Sequence, residues 1–366
     1  MKITRVEVYS VNLVPEAVRS DAIQSFVSQE TPIVRIFTDS GLDGTGYTYT
    51  IGTGGSSIIA MLCDHLVPEL LGRDPQMIEQ IWRDLMFKTH ATMVGAITAL
   101  SLCAIDTALW DIRCRQMQQP LYKAAGGARD SIDVYSTEGG WLHLDTGKLV
   151  ENMVKDKEQG FGGSKIKLGH SPAEDARRVA AARKATGDDY ALMTDCNQAF
   201  SLSEMRQRAA LLEPSHPAWI EEPFPADDVD SHEQLCKSTS VPVAVGESIY
   251  SLTSFKEYLQ HDAADIIQVD AGRIGGITPW LKVAHLAEAF NRQVCPHFLM
   301  ELHVSLCCAV PNSRWLEYIP QLDLVLNSRL KVSNGKAMAP QSCDLGIDWN
   351  WKEIEKRANF HKVFKE

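Results

Sequence analysis

The 366-residue chain has no Lys/Arg-rich run, no long apolar stretch and no paired-cysteine motif, and each absence removes a class of function. Acids outnumber bases, 47 Asp+Glu against 36 Lys+Arg, for a formal charge of −11 and a pI near 5.5. Without a basic face, a partner such as nucleic acid or anionic lipid is not expected, and a small or metal-neutralised ligand is. The least polar run, Met93 to Ile105, is interrupted by Gly, Thr and Ser and stops at Asp106. It is too short to span a bilayer, so no membrane insertion is expected. The opening MKITRVEVYSV alternates and lacks the apolar centre of a secretory signal. Nine cysteines, an odd number, are scattered without a C-x-x-C pair. That argues against a disulfide framework or zinc cluster and for reduced thiols in the cytoplasm. Nor do the glycines cradle a nucleotide. Gly52-Thr53-Gly54-Gly55 is followed by no P-loop lysine and reads as a mobile flap, and Gly272 to Gly276 lacks the dinucleotide fingerprint.

What is present changes grammar along the chain. Residues 2 to 13 alternate as an edge-type strand, and Pro32 to Thr50 reads as a hairpin turning at Asp43-Gly44. Helical patterns follow over Ser57 to Leu71, Pro75 to Lys88 and Thr92 to Gln116, which together suggest an α+β unit. From Ser131, short apolar strands alternate with amphipathic helices. The strands are Ile132–Ser136, Lys165–Leu168, Tyr190–Asp195, Ala218–Glu221, Val241–Glu247, Asp265–Asp270, Gln293–His297 and Trp315–Tyr318. Eight such units, with helical crossovers forcing parallel pairing, are what a (β/α)8 TIM-type barrel requires. The expected organisation is therefore an α+β capping domain over residues 1–128, a barrel over 129–322, and a C-terminal segment, 323–366, packing back on the cap.

Ionisable residues recur at the strand ends, where barrel active sites are built. A separation of 26 residues, one strand-helix unit, lies between Asp195 and Glu221 and again between Glu221 and Glu247. Any one of these acids could simply cap a helix. Three at even spacing form a cluster whose repulsion is tolerable around a cation, and all-oxygen ligation favours Mg²⁺. Asn197, two residues past Asp195, could orient a substrate hydroxyl or cap its loop. In Ser-Lys-Ile-Lys-Leu, alternation puts Lys165 and Lys167 on one face. If that face is the barrel interior, each lowers the other's pKa and one can serve as a base. Asp270 and His297 end successive strands, a pairing that fixes the imidazole tautomer and raises its pKa. His303, lacking such a partner, reads as structural. Glu317 ends the last strand; as a proton-sharing donor it needs a raised pKa, and otherwise it is a cap.

Lys165-x-Lys167, Asp195-x-Asn197, Glu221-Glu222-Pro223, Gly246-Glu247, Asp270, His297 and Glu317 together resemble the mandelate racemase subgroup of the enolase superfamily, over nearly the whole chain. Gly139-Gly140-Trp141-Leu142-His143 and the segment Pro296 to His303 are most similar to galactarate/talarate-type acid-sugar dehydratases. The resemblance implies Mg²⁺ on Asp195, Glu221 and Glu247, with Lys167 and His297 as bases on opposite sides of a small carboxylate substrate. It further implies that N-terminal loops near Pro15 to Glu30 and Tyr47 to Ser57 choose the substrate, with Arg19 and Tyr49 as candidates to touch its distal end. The expected activity is loss of water from an aldonate or aldarate to give a 2-keto-3-deoxy acid. An α-hydroxy-acid racemase or epimerase is the alternative; a Schiff-base aldolase leaves the acid trio unexplained, and a non-catalytic binding protein on the same fold leaves the bases unexplained. A homo-oligomer is expected on general grounds.

Overall fold

A computed structural model describes residues 1–26 and 28–366. Val27, within the N-terminal loop expected to choose the substrate, lies outside the described residues. The first strand, Ile3–Leu13, pairs antiparallel with Gln29–Thr38 on one side and with the C-terminal strand Ala358–Lys365 on the other. It is thus an interior strand and not the edge strand its alternation suggested. One edge belongs to Ala358–Lys365, where Phe360 and Phe364 pack on the core between exposed residues. The hairpin turn also falls elsewhere than expected, at Asp39 to Leu42. There Gly41 has φ +85° and the Thr38 N–H donates to the Leu42 carbonyl at 3.0 Å. Gly44 lies inside the next strand, Asp43–Tyr47. A Cβ at Gly44 or Gly46 would collide with the Ala108 or Ala104 carbonyl, so these glycines serve helix contact and not a turn.

That helix, Ala96–Met117, is buried around almost its whole circumference, because the cap sheet lies on one side and the barrel on the other. Its acids tie the parts together. The Asp111 carboxylate accepts from the Thr45 N–H at 2.9 Å and from the Leu345 N–H at 3.1 Å. Asp106 accepts from the Thr278 N–H at 2.9 Å, in the first turn of the barrel helix Ile277–Ala289. Trp110 Nε1 donates to Thr278 Oγ1 at 2.9 Å.

The eight parallel strands appear at the expected places, though several are shorter: Ser131–Ser136, Gly163–Lys167, Ala191–Asp195, Trp219–Glu221, Val243–Val245, Ile266–Ile267, Gln293–Val294 and Trp315–Tyr318. Each pairs with the next, the eighth pairs with the first, and a parallel bridge from Val294 to Ser313 closes the ring. Serines at 171, 201 and 251 accept from the backbone N–H three residues on and start the helices that follow. The stretch Gly52 to Gly55, expected as a flap, runs directly into the helix Gly55–Ala60, where the Gly55 N–H and the Thr50 hydroxyl both donate to Glu30.

Burial pushes the Asp106 carboxyl up to about 7. Its folded pKa lies above the unfolded one, so its contribution to stability is complete below about pH 4 and is lost as pH rises through about 7. Asp106→Asn should remove this loss. Relative to the parent chain, the variant should gain on the order of 2 kcal/mol between about pH 5.5 and pH 8. Parallel thermal-denaturation curves for the two proteins over that range would show that Asp106 is not the group responsible.

Candidate active site

Parallel register sets the site. Lys167 pairs with Asp195 and Asp195 with Glu221, so these groups stand at one height on adjacent strands. Glu247 joins them because the chain turns at Gly246, whose φ of +153° and close approach to the Gln268 backbone admit no Cβ. One oxygen of each of Asp195, Glu221 and Glu247 lies within 4.8 Å of the other two. Trp219 Nε1 and Gln268 Nε2 both donate to Glu221 Oε2, at 2.9 and 2.8 Å, which fixes that carboxylate. The buried Glu247 Oε2 has no hydrogen-bond partner among the described residues. Three converging carboxylates, one with an oxygen that accepts no hydrogen bond among the described residues, are the donor set that a hard divalent cation such as Mg²⁺ takes.

Both lysines point into the barrel and are buried. Lys165 Nζ lies 2.7 Å from Glu221 Oε1, 2.8 Å from Glu317 Oε1 and 3.3 Å from Asp195 Oδ2. Lys167 Nζ donates to Asp195 Oδ2 at 2.5 Å and to Asn197 Oδ1 at 3.0 Å, with the Trp141 ring centre 5.4 Å away. Burial alone would lower both pKa values. Glu221 and Glu317 nevertheless hold Lys165 well above the ordinary value, and Asp195 holds Lys167 above it. Lys165 does lower Lys167, as like charges should, but the neighbouring carboxylates outweigh it and the net shift is upward. Burial and Asp195 push Glu221 up to about 8, whereas Lys167 and Lys165 overcome burial and lower Asp195.

Across the barrel, His297 Nδ1 lies 2.8 Å from Asp270 Oδ2, and its Nε2 lies 3.5 Å from Glu247 Oε2. Burial works against the imidazolium, but Glu247 and the Asp270 hydrogen bond raise its pKa, as the pairing predicted. Asp270 also caps the short helix after it, accepting from the Gly272 N–H at 2.6 Å, so capping and pairing coexist in one residue. Glu317 departs from expectation. It accepts from the Thr137 hydroxyl at 2.6 Å and from the Phe298 N–H at 2.8 Å. Despite burial, Lys165 and His297 hold it far below the carboxylate range, so the raised pKa that the proton-sharing donor reading required is absent and the carboxylate acts as an acceptor.

The N-terminal candidates land differently. Arg19 is buried, with Nη2 2.6 Å from Glu138 Oε1 and 2.7 Å from the Pro320 carbonyl. With Gln29, Glu138, Gln321 and Asp323 it lines a cavity of about 220 Å³. Tyr49 is fully buried and donates to Asp270 Oδ2 at 2.7 Å, so it meets the dyad and not a substrate's distal end. His303 is structural as expected. Its Nε2 accepts from the Ala271 N–H at 3.1 Å and its Nδ1 lies 2.8 Å from the Phe298 carbonyl, linking the loops after Asp270 and His297. Thr137 and Glu138 follow the first barrel strand, Ser131–Ser136, and neither stands out in the sequence, because that strand itself ends in a serine and not in an ionisable residue.

Two family models match the chain, "Mandelate racemase / muconate lactonizing enzyme, N-terminal domain" over residues 5–126 and "Enolase C-terminal domain-like" over 148–353. The chain is 35% identical over 316 residues to L-talarate/galactarate dehydratase of Salmonella typhimurium, covering 86% of this chain and 79% of that protein. It is 30% identical to N-succinyl-L-Arg/Lys racemase of Bacillus cereus, covering 79% and 77%. The crystal structure of L-talarate dehydratase from Polaromonas sp. JS666, complexed with Mg and L-glucarate, matches with a TM-score of 0.95 at 32% identity, over 100% of this chain and 99% of that one.

Replacing Glu221 with Gln removes one charge from the acid trio while keeping its shape. Mg²⁺ affinity, read by titration calorimetry, should fall by more than the roughly 10- to 100-fold that loss of an outer-shell partner costs. Unchanged affinity would remove Glu221 from the ligand set.

Proposed function

Because the chain belongs to the mandelate racemase and muconate lactonizing enzyme family of the enolase superfamily, we propose that it is a Mg²⁺-dependent dehydratase of an acid sugar. The observation that carries this reading is the pairing of two different proton-transfer groups across one acid trio. Lys167 ends the second barrel strand and His297 follows the seventh, the latter held by Asp270. In this reading residues 129–322 form the barrel, and residues 1–128 with 323–366 form the cap. Cytoplasmic placement is supported by nine free cysteines, and a homo-oligomer by the prevalence of closed symmetry. No helix among the described residues is long and apolar enough to cross a membrane.

The chemistry follows from the groups in place. A proton α to a carboxylate is very weakly acidic, so the charge that forms on its removal must meet fixed countercharge. Mg²⁺ held by Asp195, Glu221 and Glu247 supplies that charge and offsets the carboxylates that otherwise keep Lys167 protonated. Lys165, anchored by Glu317, donates to the substrate carboxylate. Lys167 takes the α-proton as the C–H bond breaks. His297, as imidazolium, gives its proton to the hydroxyl leaving the neighbouring carbon, so that water departs with the C–O bond pair. The remaining enol tautomerises to the 2-keto-3-deoxy acid. The sugar-acid reading is supported by the relative that is a talarate/galactarate dehydratase and by the Mg- and L-glucarate-bound structure that this chain matches. The same two groups could instead pass a proton from one face to the other. The racemase relative favours keeping that reaction in view.

Incubation with Mg²⁺ and a panel of C5 and C6 aldonates and aldarates, galactarate and L-talarate among them, should yield 2-keto acid detectable by semicarbazone absorbance. Absence of keto acid from every member, with racemisation of a simple 2-hydroxy acid, would make the protein a racemase. In heavy water, Lys167→Ala should retain α-proton exchange only for the epimer whose proton faces His297, and His297→Asn the reverse. Identical behaviour of the two variants would exclude a two-sided site.

A further inference from the structure

The Asp270 carboxylate has no freedom left. Oδ1 accepts from the backbone N–H groups of Gly272 and Arg273, at 2.6 and 3.3 Å. Oδ2 is shared by His297 Nδ1 at 2.8 Å and the Tyr49 hydroxyl at 2.7 Å. Tyr49 reaches it from the cap, just past the strand Asp43–Tyr47 and 221 residues away in sequence. It is 0% exposed, so it offers no surface to a substrate. The phenol is itself aimed from behind, because Arg273 Nε donates to the Tyr49 hydroxyl at 3.2 Å while Arg273 Nη1 donates to the Tyr250 hydroxyl at 2.9 Å. Its ring rests on Phe298, centre to centre 4.4 Å, and Phe298 follows His297 in the chain. A cap residue therefore touches both the orienter of the imidazole and the imidazole's neighbour.

We propose that Tyr49 is a positioning residue for the reaction, by which the capping domain locks the Asp270 carboxylate and through it aims His297. The proposal rests on the two-base reading above. A buried hydroxyl that only satisfied itself would act on the whole fold; one that aims His297 must act on one proton-transfer face.

The test is Tyr49→Phe, which keeps the ring on Phe298, compared with His297→Asn in the Mg²⁺-loaded enzyme. The probes are the panel acid giving the most keto product and its C2 epimer, followed by α-proton exchange in heavy water and by kcat and KM. Tyr49→Phe should slow exchange on the His297 face and kcat by about 10-fold, with KM and exchange on the Lys167 face held within about 2-fold. Equal slowing of both faces, or no change on either, would overturn the proposal. His297→Asn separates the two levels: if it abolishes exchange for one epimer while Tyr49→Phe changes nothing, only the Tyr49 assignment fails. If His297→Asn spares both epimers, or no panel acid reacts, the two-base reading fails and the role of Tyr49 falls with it. Should Tyr49→Phe not fold, Arg273→Gln removes the donor behind the phenol and should give the same one-sided loss.

Discussion

Buried acids of like charge dominate the centre of this molecule. Asp195, Glu221, Asp270 and Glu317 are buried at the barrel mouth with the half-buried Glu247 beside them, faced by Lys165, Lys167, His297 and Arg273. In a low-dielectric interior such a set is tolerable only if each charge is paired or a cation is added. The pairing visible in the structure follows from that constraint. Lys165 is shared by Glu221, Glu317 and Asp195, and Lys167 is drawn onto Asp195. The same constraint makes the site responsive to a divalent ion, because neutralising the trio changes the balance that keeps the lysines protonated.

The second half of the site is held differently. Asp270 and His297 sit in loops braced by His303 below and by Tyr49 and Arg273 from the cap side. An imidazole that must move protons in one direction depends on a fixed partner. Here part of that fixing comes from outside the barrel. The cap is attached firmly enough for this because the helix Ala96–Met117 bonds to a cap strand, to the C-terminal segment and to the first turn of a barrel helix. Fold and chemistry meet there, since the Tyr49 hydroxyl lies 2.7 Å from the Asp270 carboxylate across the contact of cap and barrel, a contact also held by Arg19 with Glu138 and by Trp82 with the Gly275 carbonyl.

How much of this could be read without coordinates depends on the range of the interaction concerned. Parallel strands in a barrel impose a regular step, so the spacing of Asp195, Glu221, Glu247, Asp270, His297 and Glu317 is enough to expose the barrel, the strand ends and the acid trio. Alternation placed Lys165 and Lys167 on one face, and apolar periodicity placed the helices between the strands. The rest depends on contacts between distant parts of the chain. Whether Asp43-Gly44 turns or lies flat depends on a helix more than 50 residues away crossing the strand. Whether residues 3–13 form an edge depends on a partner from the far end of the chain. The charge states of Lys167 and Glu317 come from through-space neighbours that the strand pattern does not order. Tyr49, read as a substrate contact, is a ligand of Asp270 because cap and barrel close on each other. Periodicity reports which face a residue occupies; only packing reports what that face meets.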